Sequence, residues 1–194
     1  MYRLYIKRYI SVILATIGLL LCFAPMIIIA VIIKCDSNGP VMFKQERLGK
    51  NMKPFIVYKF RTMCVGAYEQ GGIATSAKDT RITRVGAVLR RTSLDELPQL
   101  FNVLNGTMSI IGPRPILDWE FEEYKENTRY QQRYDVLPGM FCTVDVWNRA
   151  ALRDEQFEMD AAYVDNISFR VDFKTFLGVI VPVLTGAHVY RDER

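Results

Sequence analysis

The 194-residue sequence predicts an α+β fold: a long apolar N-terminal helix, then a small, mostly helical cytosolic domain with a short β-hairpin. Three observations predict it. From Tyr9 to Ile33 no residue is charged, and Pro25 interrupts the run. Between Val41 and Met63, two strand-like stretches flank the turn Gly49-Lys50-Asn51. Further on, Leu97, Leu100, Phe101 and Leu104 recur at helical spacing. The chain divides into an anchor, residues 1–36, and a cytosolic unit, residues 37–194.

Composition sets the outer bounds. Half of the residues are hydrophobic, 12% are aromatic and 24% are charged, which excludes disorder. The mean hydropathy of +0.06 is high for a soluble enzyme, and the excess sits in the anchor. A helix from Tyr9 to Ile33 is about 37 Å long at about 1.5 Å per residue, against about 30 Å of bilayer core. It is too long for a signal-peptide core, and no small-x-small cleavage site follows. Arg3, Lys7 and Arg8 precede it and Lys34 follows, so both ends carry the cytoplasmic signature. Pro25 removes a backbone hydrogen bond and kinks the helix. A segment that enters and leaves by one face explains charges and proline together; a straight span is the other reading of these residues.

In the hairpin, Val41–Arg47 and Phe55–Met63 are the expected strands. Alternation places Lys59 and Arg61 on one face, Tyr58 and Phe60 on the other. The stretch Gly66–Ala77 reads as loop. Lys78, Arg81, Arg84, Arg90 and Arg91 face only Asp79 in charge, which points to phosphate or anionic lipid. Beside a membrane segment these outrank nucleic acid. Val85, Val88 and Leu89 suggest a short helix there. Pro98 must lie in a first helical turn, which sets a helix start near Asp95 and a stop at Gly106. Asp95 and Glu96 then sit at a helix N-terminus, where negative charge is favoured. Pro113 and Pro115 hold the backbone around Arg114, whose guanidinium suits a phosphate. Trp119–Tyr134 reads as a helix, Pro138-Gly139 as a turn and Phe157–Val164 as a helix. Phe173–Leu184 is apolar but too short to span, so it is core or interfacial, with Pro182 bending or ending it. Four cysteines without C-x-x-C spacing read as reduced thiols. The one histidine, His188 near the C-terminus, reads as a surface residue and argues against a histidine zinc site or a Ser-His-Asp triad.

The stretch from Leu89 to Leu104, then Met108-Ser109-Ile110-Ile111-Gly112-Pro113-Arg114-Pro115, resembles the bacterial sugar transferases, the monotopic phosphoglycosyl transferases. So do Tyr58-Lys59-Phe60-Arg61-Thr62-Met63, Arg81-Ile82-Thr83-Arg84-Val85-Gly86, Pro138-Gly139 and Tyr163-Val164-Asp165-Asn166. The resemblance implies transfer of a sugar-1-phosphate from a UDP-sugar to undecaprenyl phosphate. UMP is released and a polyprenyl-diphosphate sugar is made, the first membrane step of glycoconjugate assembly. It implies a kinked re-entrant helix, monotopic on the cytoplasmic face of the inner membrane, with interfacial helices beyond it. Residue by residue, Asp95 matches the nucleophile, which would also contact a Mg2+ cofactor, and Glu96 matches its partner. Arg90 and Arg114 match phosphate-binding arginines; Lys59 and Arg149 match basic positions near nucleotide or phosphate. Downstream glycosyltransferases are candidate partners, and nucleic acid is not. The length matches minimal family members.

Three departures stand out. The run Phe141–Asn148 replaces the family's Thr-Gly-aromatic and most of its Gln-Val-x-Gly-Arg. Thr107 stands where Asp is common, and Ala24 precedes Pro25 where Ser is common. A membrane-associated scaffold of the same fold without catalysis is the alternative function. The altered run favours it; the intact dyad opposes it.

Overall fold

The computed structural model describes residues 1–71, 79–147 and 151–185. Arg149, His188, Lys78 and half of the expected 66–77 loop, residues 72–77, lie outside the described residues.

After a π-type turn at Tyr2–Ile6, helix α1 runs unbroken from Lys7 to Asp36, through Pro25. Only 11% of its most apolar stretch is covered by the rest of the protein, so it is not the core helix of a soluble domain. The covered side is one stripe: Lys7, Ser11, Ala15, Met26, Ile29 and Ile33. Both ends of α1 are tied to the same domain. Lys7 Nζ lies 2.5 Å from Asp172 Oδ2, and Arg8 donates to the carbonyls of Val103 and Leu104. At the other end Arg61 donates to the carbonyls of Ser37 and Asn38, and Asp36 accepts from Val85 N. The basic flank read as a cytoplasmic signature is therefore partly spent on docking.

Strands β1 (Met42–Leu48) and β2 (Pro54–Phe60) form the expected antiparallel hairpin, with Met42 opposite Phe60 and Leu48 opposite Pro54. Phe60 is buried with Met26, Ile29, Ile33 and Leu89, which seats the hairpin on α1. A short helix α2 (Ala67–Gly71) precedes α3 (Arg84–Thr92). Thr83 caps α3 by accepting from Gly86 N at 2.9 Å. Gly86 is required by contact: a Cβ there would lie 2.0 Å from the Thr62 carbonyl oxygen. Gly86→Ala is therefore expected to push α3 off the Thr62 backbone that follows β2 and lower stability by about 1–3 kcal/mol, as overpacking does. Thermal unfolding checks this, and an unchanged midpoint would contradict the contact.

The expected helix from Asp95 to Gly106 is two pieces. Ser93 adopts a left-handed conformation, φ 56°, closing α3 with bonds to the Arg90 and Leu89 carbonyls. A 3₁₀ turn, Leu94–Glu96, follows, and α4 is only Gln99–Leu104. Pro98 stands before α4 as its cap, because its ring would clash with the carbonyl four residues back inside a helix. The expected apolar face is only partly covered. Leu100 and Val103 are buried, with Gln99 and Asn102, while Phe101 and Leu104 are exposed. Asn102 is wholly buried for a reason no local period shows: its amide bonds Ile56 O and Tyr58 N along β2.

Strand β3 (Ser109–Ile111) pairs in parallel with β4 (Gly139–Phe141), so Pro138-Gly139 starts a strand rather than only making a turn. Between them the single expected helix is broken into α5 (Asp118–Phe121), α6 (Thr128–Gln131) and 3₁₀ turns. Asn127 caps α6, and the breaks let Phe121, Tyr124, Tyr130 and Tyr134 wrap Phe157. Helices α7 (Thr143–Trp147), α8 (Arg153–Asp165) and α9 (Phe169–Thr185) complete the described chain. In α9 Asp172, Thr175 and Val179 face inward, whereas Phe169, Phe173, Leu177 and Ile180 are exposed. That outward apolar stripe fits an interfacial position.

Candidate functional site

The hairpin, the C-terminal end of α3, the 3₁₀ turn and the Pro-Arg-Pro segment converge on one cleft of about 520 Å³. Lys59, Arg90, Asp95, Glu96 and Arg114, far apart in sequence, all line it. A volume in this range holds a small-molecule ligand.

Asp95 sits at the base of the cleft and is 9% exposed. Burial pushes its carboxyl up to about 6; Lys59 opposes the shift, Glu96 adds to it and Arg90 opposes it. Among the described residues no side chain donates a hydrogen bond to Asp95. Its own backbone N–H does. Glu96 instead accepts from Lys59 Nζ at 2.7 Å, which links the expected cation on β2 to the expected acid. Because the dyad lies in a 3₁₀ turn, its negative charge is answered by Lys59 and Arg90, not by an α-helix N-terminus. The left-handed Ser93 makes this possible: it reverses the chain after α3 and returns the dyad to Arg90.

Arg90 Nε donates to Thr62 Oγ1 at 2.9 Å, which fixes the guanidinium plane. Of the basic stretch, Arg90 lines the cleft; Arg84 and Arg91 are exposed outside it. Arg81 is folded back on Asp79, 2.6 Å away, and holds that carboxyl down near 2 through its hydrogen bonds. Arg114 Nη1 donates to Asp145 Oδ1 at 3.1 Å. That carboxylate raises an already high guanidinium pKa, so Arg114 stays charged. Asp145 is nearly inaccessible, and its other oxygen accepts from Cys142 N and Sγ. Burial pushes the Cys142 thiol up, which makes it a donor here rather than a nucleophile.

Sequence reasoning missed four contributors. Thr62 and Asp145 orient the arginines. Arg47 and Arg153 meet on Glu120 along one wall of the cleft. Arg47 had a signal: alternation puts Gln45 and Arg47 on the β1 face with Phe43, whose cross-strand partner is Lys59. Asp145 lies in the run that departs from the family pattern. Arg153 carries no local signal.

Among the described residues no three Asp, Glu, His or Cys side chains gather as a metal site. The chemistry still fits magnesium, which commonly takes one or two carboxylates and completes its shell with water and substrate phosphates. Asp95, which accepts from no side chain among the described residues, and Glu96 beside it are such a pair.

Comparison with known proteins identifies the family. The family model described as bacterial sugar transferase matches residues 2–186. A UDP-N-acetylgalactosamine-undecaprenyl-phosphate N-acetylgalactosaminephosphotransferase of Aeromonas hydrophila is 40% identical over 187 residues, covering 94% of this chain and 44% of that protein. The exopolysaccharide production protein PSS of Rhizobium leguminosarum bv. phaseoli is 40% identical over 196 residues, covering 94% of this chain and 96% of that protein. A UDP-glucose:undecaprenyl-phosphate glucose-1-phosphate transferase of Escherichia coli (strain K12) is 39% identical over 176 residues, covering 87% and 38%. The chain thus spans under half of the first and third relatives and nearly all of the second. With a cleft built on the Asp-Glu pair and the two arginines, and a family match over almost its whole length, the chain belongs to the bacterial sugar transferases.

Proposed function

We propose that this protein transfers a sugar-1-phosphate from a UDP-sugar to undecaprenyl phosphate at the cytoplasmic face of the membrane, through a covalent intermediate on Asp95. The observation that carries the reading is the buried Asp95, with no side-chain hydrogen bond among the described residues, in a cleft lined by Lys59, Arg90 and Arg114. A carboxylate reaches a diphosphate only when the mutual repulsion is screened, and this cleft supplies fixed cations.

In the first half-reaction an Asp95 oxygen forms a bond to the sugar-bearing phosphorus, and the bond from that phosphorus to the UMP oxygen breaks. UMP leaves with the electron pair. In the second, an oxygen of the lipid phosphate attacks the same phosphorus and the Asp95–phosphorus bond breaks. Arg90 and Arg114 bind the phosphoryl oxygens as charge builds on them. Glu96, held by Lys59, orients the acceptor. A divalent cation such as magnesium, held by Asp95 and Glu96 with the diphosphate, would supply further charge neutralisation. The ordinary direction of burial serves this role: a partly desolvated carboxylate is more nucleophilic than a solvated one.

We also propose that α1 is re-entrant, with the protein monotopic. Both its ends are docked on one domain, by Lys7 and Arg8 at the start and by Arg61 and Asp36 at the end. A straight span would need one end to let go. A cysteine at position 3, in a chain without its native thiols, is expected to resist labelling from the periplasmic side; labelling there would contradict the topology.

The reaction is tested with a panel of UDP-sugars, including UDP-glucose, UDP-galactose and UDP-N-acetylgalactosamine, by UMP release. A productive donor supplied without lipid should leave a phosphosugar mass on the peptide containing Asp95, and initial rates should be ping-pong. Sequential kinetics and no adduct from an active donor would leave Asp95 as a metal ligand only. No UMP from any donor would favour the scaffold.

A further inference from the structure

Behind the Pro-Arg-Pro segment, outside the cleft lining, lies a buried ion pair that the reaction above does not use. Arg133 Nη2 and Asp160 Oδ2 are 2.9 Å apart, and both side chains are 2% exposed. The same Nη2 donates to the Arg114 carbonyl at 2.5 Å, so Asp160 reaches the Arg114 main chain through Arg133. The pair therefore grips the Arg114 main chain at its carbonyl. The Arg133 guanidinium is itself fixed, 4.6 Å from the Phe157 ring centre and 5.3 Å from that of Tyr134.

Stability does not explain the arrangement. Arg133 Nε and Nη1 are buried without a hydrogen-bond partner among the described residues. A buried pair so incompletely satisfied is no better for stability than packed apolar side chains. What it supplies is location. The two prolines fix the backbone torsions beside Arg114 but not where that backbone sits. Asp145 holds the guanidinium tip at 3.1 Å, and the buried pair holds the root.

We propose that Arg133 and Asp160 are positioning residues for Arg114, setting where its guanidinium meets the substrate diphosphate. The inference rests on the proposed reaction for its readout but not for its geometry. A misplacement of about 1 Å in such a group costs up to about a hundredfold in rate. Neither residue touches the cleft, so their effect must pass through Arg114.

The test uses the full chain in detergent. Asp160→Asn and Arg133→Lys keep hydrogen-bonding capacity at nearly the same volume. With a productive UDP-sugar, each is expected to lower kcat about tenfold or more with a smaller change in KM. Each should also weaken Mg-UDP binding severalfold by calorimetry. In an Arg114→Ala background both effects should vanish, with less than about a twofold further loss. Losses that multiply undiminished in that background would overturn the proposal, as would wild-type kcat and Mg-UDP affinity in both variants. Loss of cooperative thermal unfolding in both would make the pair a stability element and overturn it too. If wild-type protein turned over no donor, the proposed reaction would fall, and the pair would be judged on Mg-UDP affinity alone. There, weakening by Asp160→Asn that depends on Arg114 supports positioning, and no weakening refutes it.

Discussion

Asp95→Asn is expected to abolish turnover and, at pH 7.5, to make the protein more resistant to unfolding. The activity loss should be roughly four orders of magnitude or more, because an amide is no nucleophile towards phosphorus. The gain in stability follows from burial. Asp95 ionises near 6 when folded, against 3.8 ordinarily, because its charge is desolvated. The unfolded chain therefore releases this proton first as pH rises, and the folded state loses stability between about pH 4 and pH 6. Above that window the cost is complete, on the order of 2–3 kcal/mol at about 1.4 kcal/mol per unit. Asparagine removes it. The variant should exceed wild type at pH 7.5 and lose that advantage at pH 4, by thermal unfolding at both values. Wild-type activity should fall as pH drops through about 6. An advantage equal at both pH values would mean that something other than ionisation is responsible.

This trade is what a nucleophile at the base of a cleft requires. A solvated carboxylate would be stable and unreactive; one paired tightly to an arginine would be stable and blocked. Here Glu96 takes the direct bond from Lys59, and Arg90 is turned towards Thr62. The cations lower the cost of Asp95 from a distance without occupying its oxygens.

Much of this was legible in the sequence, and what was not shares a physical cause. The hairpin was readable because strand alternation and a turn are local. The apolar helix was readable because length and the absence of charge are enough. Lys59, Arg90, Asp95, Glu96 and Arg114 were named from pattern and resemblance, and they meet in one cleft. The dyad's setting was misread, because Ser93 in a left-handed conformation carries no residue-type signal; glycine would have given one. The apolar face of Leu97, Leu100, Phe101 and Leu104 was legible as a period, but a period does not say how much of a face the protein covers: Leu100 is buried, while Phe101 and Leu104 are exposed. Asn102, Arg133 and Asp160 went unread because their partners lie dozens of residues away, and a buried polar residue looks like a surface one in sequence. Departures from the family pattern divide similarly. Thr107 bonds Asn102 O and Asn105 Oδ1 in the turn after α4, so its change is structural. Asp145 holds a site arginine, so its change reaches the cleft.

The other large expected effect is on folding. Lys7→Ala should destabilise the protein by about 3–5 kcal/mol, the cost of leaving a buried charge without its partner. The charge is Asp172 on α9. It accepts from Lys7 Nζ at 2.5 Å, Tyr2 OH at 2.6 Å and Tyr163 OH at 2.6 Å, with Lys7 also donating to Tyr163 OH at 2.8 Å. The cluster joins the start of α1 to α8 and α9, beside the exposed apolar stripe of α9. Without the ammonium the carboxylate keeps two phenols, which do not balance its charge. Replacing both members, as Lys7→Met with Asp172→Leu, should recover part of the loss, since no charge is then buried, while the Tyr2 and Tyr163 hydroxyls lose their shared acceptor. Arg3→Ala, in the same flank but exposed, should change stability by under about 0.5 kcal/mol. Thermal unfolding of the four proteins in one detergent makes the comparison. Lys7→Ala matching Arg3→Ala would mean that the basic flank serves the membrane surface alone. The expected pattern would mean that Lys7 holds the first turn of the apolar helix to the domain.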